Sequence, residues 1–223
     1  MPVLTVMLRN KRTIISLSLL CLGGFFAESA AAQPLTERWT LNVGAGFTNP
    51  VKDIERRLDQ GWNFSAGGGA RLTPHFSLVG EFNHNEMDIS RRALAALAMP
   101  DGNTRVWSIT GNPRVNFNPG GVVDFYLIGG GGVYRRTVEF TRPSTTTVAV
   151  LDPWWGVVYP AVVPADEILA SYSTTRGGLN GGGGLTVRLG QSGVKIYAEA
   201  RYHHMFTPGI ATTYVPVTFG LQW

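Results

Sequence analysis

An all-β chain closed into an antiparallel eight-stranded up-and-down barrel is what three features of this 223-residue sequence predict. Apolar and polar residues alternate with period two in eight segments of about ten residues or more. The connections between these segments alternate between tight turns and long loops. The last segment runs to the final residue, with Trp223, Leu221, Phe219, Val217 and Val215 on one face and Gln222, Gly220, Thr218, Pro216 and Tyr214 on the other. Soluble domains more often end in a frayed polar tail. An oily closing strand with a terminal aromatic favours a transmembrane barrel over the edge strand of a soluble sandwich.

The start of the chain agrees. Arg9, Lys11 and Arg12 form a basic region, Ile14 to Phe26 is an apolar stretch, and Ala30-Ala31-Ala32 supplies small residues before Gln33. This pattern predicts a secretory signal peptide over residues 1–32, cleaved after Ala32, and a barrel domain over residues 33–223. The apolar run is shorter than the ~20 residues of a membrane helix. Cys21 follows Leu19 and Leu20, which are too bulky for a lipoprotein signal. Cleavage removes Cys21, the only cysteine, so the mature chain is expected to have no disulfide.

The first strand is expected over Arg38 to Thr48, where Trp39, Leu41, Val43, Ala45 and Phe47 share a face. Asn49 to Gln60 is a charge-rich loop. The second strand, Gly61 to Leu72, sets Trp62, Phe64 and Ala66 against Asn63, Ser65 and Gly67. The turn Thr73-Pro74-His75 leads to the third, Phe76 to Met87. In the connection Ser90 to Asn103, Arg91 to Leu97 is a short helix ended by Pro100 and Gly102. Arg105 to Phe117 is the fourth strand, and Pro113 inside it removes a ladder hydrogen bond. Asn118-Pro119-Gly120-Gly121 turns into the fifth, Val123 to Val138. Thr141 to Ser171 is a long segment holding Trp154-Trp155, read either as a β-hairpin continuing strands five and six or as an exposed adhesive patch. Tyr172 to Leu189, Val194 to Phe206 and the terminal segment complete the eight. An even number of strands places both termini on the periplasmic side, with tight turns there and long loops outside.

Composition excludes some functions. The signal removes three basic residues and one acidic residue, leaving 16 Lys+Arg, 14 Asp+Glu and a mature net charge of +2. These basic residues are scattered, so nucleic acid is not an expected partner. Charged residues are 15% of the chain, below the ~25% of typical soluble domains. The runs Gly67 to Gly69, Gly129 to Gly132 and Gly181 to Gly184 lie in mid-strand, without the strand-to-helix context and Lys-Ser or Lys-Thr of a phosphate loop. They are expected to let a narrow barrel bend and its backbones approach.

The polar faces carry Glu81 and Glu199 with Arg71, Arg114, Arg188, Lys195 and Arg201. Charges inside a barrel must be paired or hydrated. Glu81, Glu199, Arg114, Arg188 and Arg201 are therefore expected to form an ion-pair network that plugs the lumen, with a narrow ion path as the alternative. His203 and His204 are consecutive on a strand, point to opposite faces and cannot chelate one ion. No catalytic, metal or cofactor site is expected.

Taken together, the chain resembles the small bacterial outer-membrane β-barrel family that includes OmpA- and OmpX-type barrels. Three segments carry a closer likeness to a glycine-rich subgroup: Arg57 to Phe64, Tyr126 to Tyr134 and Pro216 to Leu221. The resemblance implies residence in the cell outer membrane and a non-enzymatic structural or surface-interaction role. It also implies an insertion signal at Val217, Phe219, Leu221 and Trp223. The partners it implies are outer-membrane lipid, periplasmic chaperones and the barrel-assembly machinery, with the protein itself a monomer. No peptidoglycan-binding domain is expected, so cell-wall anchoring is not carried over. The resemblance also brings an enzyme alternative, because some eight-stranded barrels are lipid A deacylases that use a His, Ser and acidic set, with serine two residues after the histidine. Here Met205 and Phe206 take those positions, which weakens the enzyme alternative. A soluble barrel with a ligand inside would need an apolar interior, which the polar faces argue against.

Overall fold

A computed structural model describes residues 39–190 and 193–223, apart from the side chains of 163–166. The expected signal peptide lies outside the described residues. The strands are β1 (Trp39–Pro50), β2 (Gly61–Arg71), β3 (Phe76–Asp88), β4 (Asp101–Asn116), β5 (Val123–Leu151), β6 (Val158–Arg188), β7 (Lys195–Met205) and β8 (Thr212–Gln222). Each pairs antiparallel with its chain neighbours, and β1 with β8 closes the barrel in sequence order. Leu41 and Trp223 exchange backbone hydrogen bonds of 3.1 and 2.9 Å at the seam. Closure pairs β1 with β8 and so leaves the barrel wall without a free first or last strand, as a backbone in lipid requires.

The barrel is apolar outside and polar inside. On β1, Thr40 and Thr48 are buried in the lumen while Trp39, Leu41 and Phe47 are exposed. On β8, Phe219, Leu221 and Trp223 face outward and Thr218 and Gln222 inward. Exposed aromatics gather near both ends of the strands. Trp39, Phe117, Phe125 and Trp223 lie by the tight turns, and Phe47, Trp62 and Phe206 by the long connections. These two belts mark the membrane interfaces of a transmembrane barrel.

Glycines on the lumen face make room for tyrosines. A Cβ on Gly184 would lie 2.5 Å from Tyr126 Oη, one on Gly178 2.9 Å from the Tyr134 ring, and one on Gly44 2.3 Å from Tyr197 Oη. Steric clearance for an inward ring thus accounts for Gly184 of the glycine runs, and for Gly178 and Gly44 outside them. Pro113 leaves the predicted irregularity: pairing of β4 with β5 runs from Asp101 to Gly111, resumes at Arg114, and skips Asn112 and Pro113.

The structure has the hairpin that was one of the two readings of 141–171, and the short helix over the expected residues. The segment 141–171 is strand over most of its length. β5 and β6 continue as a paired hairpin, with a register irregularity between Phe140 and Thr141. The α-helix α1 (Arg91–Leu97) begins at Ser90, whose side chain accepts from Ala93 N. It ends at Ala98 in the left-handed region (φ 53°), two residues before Pro100.

Candidate functional site

Strand alternation brings a polar network to the middle of the lumen. The Arg201 guanidinium bridges two carboxylates, donating from Nη1 to Glu81 Oε2 and from Nη2 to Glu199 Oε1, both at 2.5 Å. All three side chains are largely or fully buried. Asn112 Nδ2 donates to Glu81 Oε2 (2.7 Å), and Tyr126 Oη donates to Glu199 Oε2 (3.0 Å). Arg114 forms no ion pair there. Its guanidinium stacks 3.6 Å from the Tyr126 ring centre, and Nη1 donates to Gln222 Oε1 at 3.2 Å. Glu81, Glu199, Arg114 and Arg201 balance in charge, and the hydrogen bonds to their spare oxygens offset the cost of burying them. Two voids among these residues and below them hold about 10 and 20 Å³, at most a water molecule or so each.

Toward the long connections the lumen becomes apolar. Met87, Val106, Tyr134, Met205 and Tyr214 are fully buried in one cluster with Val138. His203 is buried among them, stacked on Tyr214 with ring centres 5.1 Å apart and with Nδ1 3.1 Å from Tyr134 Oη. The cluster is capped from the β1–β2 connection, where a single 3-10 turn (Lys52–Ile54) supplies Ile54 and the following residues supply Leu58. α1 adds Leu94 over the same mouth. Arg57 and Ser90 hold the two connections together: Ser90 N donates to Arg57 O at 2.8 Å. Beside this lid lies an open cleft of about 580 Å³.

The β5–β6 hairpin stands clear of the other strands. Among the described residues, no third strand lies beside its last ten pairs, Arg142 with Glu167 to Leu151 with Val158. At ~3.3 Å per residue they project about 30 Å. The turn is built locally. Asp152 Oδ1 accepts from Trp154 N (2.9 Å) and Trp155 N (3.3 Å), and Gly156 takes φ +63°. This ordered turn leaves Trp154 and Trp155 90% and 82% exposed.

The outer membrane protein beta-barrel domain family matches residues 17–222. The chain belongs to that family. No curated protein sequence matches it. Among solved structures, Neisserial surface protein A is 14% identical with a TM-score of 0.54, over 82% of this chain and 95% of that one. Ail of Yersinia pestis, in complex with the heparin analogue sucrose octasulfate, is 14% identical with a TM-score of 0.48, over 83% and 99%. At such identity Neisserial surface protein A shares the fold alone.

Within this outer-membrane barrel, Glu81, Glu199 and Arg201 come together as one cluster, and Arg114 joins it through the ring of Tyr126, whose hydroxyl donates to Glu199. Arg188 stands apart: it lies at the end of β6 and donates from Nη2 to Gly120 O (3.3 Å) in the β4–β5 turn. Lumen-facing parity placed it on the right face, but its height at the rim put it beyond reach of the carboxylates. His204 lies on the outer face, with Nδ1 3.1 Å from Thr213 Oγ1, so the two histidines do diverge. The apolar lid is what sequence reasoning missed. Its signals were Ile54 and Leu58, two apolar residues in a charged loop, and Met87 and Met205 at strand ends.

Proposed function

We propose that this protein is a non-enzymatic outer-membrane barrel with a sealed lumen, acting through contacts of its β5–β6 hairpin with an apolar surface outside the cell. One observation carries the reading: a fixed turn holds Trp154 and Trp155 in solvent at the end of a hairpin reaching past the barrel. A two-stranded ribbon is marginal alone in water, and a contiguous exposed apolar patch marks an interaction site. Each indole would bury roughly 150–250 Å² on docking, a gain of about 4–6 kcal/mol at ~25 cal/mol per Å². The protein is read as a monomer in outer-membrane lipid. The outward face of β8 at Val217, Phe219, Leu221 and Trp223 is read as the mark by which periplasmic chaperones and the assembly machinery recognise it. The buried, hydrogen-bonded setting of His203 between two tyrosines supports no hydrolytic role for it.

The test is adhesion of cells displaying the barrel to octyl-coated beads. Replacing both tryptophans by serine should reduce adhesion several-fold while the detergent-resistant folded band stays intact. Equal adhesion of variant and parent would contradict the reading.

A further inference from the structure

We propose that the cleft between the Lys52–Ile54 turn, α1 and the base of the β5–β6 hairpin binds a small anionic amphiphile. Its ligand is an apolar body carrying one carboxylate, sulfonate or phosphate group, taken up as a free solute from outside. The cleft's volume of about 580 Å³ falls within the ~300–1,000 Å³ of small-ligand sites. Its wall has two chemistries. Leu58, Leu97, Val138, Phe140 and Ile210 supply apolar surface, while Arg56, Arg57, Arg92 and Arg136 are its charged residues, with no Asp or Glu among the lining.

Among the described residues, none of these four arginines pairs with a carboxylate within 4.0 Å, the carboxylate pairs being made by Arg105 and Arg201. Asp53 and Glu55 line an adjoining groove with Arg56 and Arg57, which partly offsets that outer pair. Arg92 and Arg136 therefore carry the proposal. Arg136 is half-buried, donates from Nη1 to Thr212 Oγ1 at 2.7 Å, and has a buried Nε that makes no hydrogen bond among the described residues. Like charges gathered over an apolar floor repel one another, and a bound anion removes that repulsion. The planar guanidinium fork suits a carboxylate, sulfonate or phosphate oxygen pair. The apolar part of the same molecule would cover the exposed edge of Leu97.

The barrel in phosphatidylcholine nanodiscs is titrated with octanesulfonate by calorimetry, against empty discs, with octanol and octyltrimethylammonium as uncharged and cationic probes. The proposal expects saturable one-to-one binding, at least tenfold weaker for the other two probes. Arg92→Gln with Arg136→Gln should weaken it at least tenfold while the folded band is kept. Should that variant fail to fold, Leu97→Trp, which fills the cleft, should weaken binding by the same factor. A signal equal to empty discs, or undiminished binding by these variants, overturns the proposal. In phosphatidylglycerol discs unchanged affinity supports a free solute, and blocked binding shows that a lipid headgroup occupies the site, which overturns the assignment to a solute.

Discussion

The hydroxyl of Tyr126 sits 2.5 Å from where a Cβ on Gly184 would lie, so the two residues share one space across neighbouring strands. Gly184→Ala should therefore overpack the lumen and destabilise the barrel by about 1–3 kcal/mol. Gly181, three residues earlier in the same run, has nothing within 4 Å of its Cβ position. Gly181→Ala should be neutral or slightly stabilising, because alanine loses less chain entropy than glycine on folding. Denaturant midpoints of the folded band measure both.

Removing Arg201 leaves Glu81 and Glu199 buried without their shared cation. Arg201→Met should cost about 3–5 kcal/mol, the usual effect of breaking a buried pair from one side. Replacing all three, Glu81→Gln, Glu199→Gln and Arg201→Met, should recover much of that loss, since no uncompensated charge remains. A triple variant less stable than the single one would show that the ion pairs contribute net stability themselves.

Leu94 joins α1 to the apolar lid and is buried there. Leu94→Ala should lose about 2–5 kcal/mol of local packing. The loss should appear as faster proteolysis between β3 and β4, with the strands still protected, because the lid can open without the ladder breaking.

Asp152 orders the hairpin turn by accepting from two backbone amides. Asp152→Ala should loosen the turn by about 1 kcal/mol, in line with the loss of a cap-like hydrogen bond. Bead adhesion should fall as for the tryptophan variant, with the barrel's denaturant midpoint unchanged.

Much of this architecture is legible in the sequence because strand alternation is strict where one face meets lipid and the other a polar lumen. Trp39 to Thr48 and Phe219 to Trp223 could be assigned inward or outward residue by residue. Alternation gives the face and not the partner, and Arg188, two residues before Gly190 of the tight turn, sits at the rim on Gly120 O and not on the carboxylates. Alternation also fails where neither face meets lipid. Thr141 to Ser171 was therefore open to two readings, a hairpin continuing strands five and six or an exposed patch, and β5 and β6 do continue through most of it. The lid was hidden for another reason: Ile54, Leu58 and Leu94 come from two loops, and only tertiary closure brings them over Met87 and Met205.

Single-channel recording in planar bilayers shows whether the ion-pair network and the apolar lid seal the barrel. With insertion verified by a band that shifts on boiling, a sealed barrel gives no sustained current steps. Steady, reproducible open-channel current from the intact protein would contradict it.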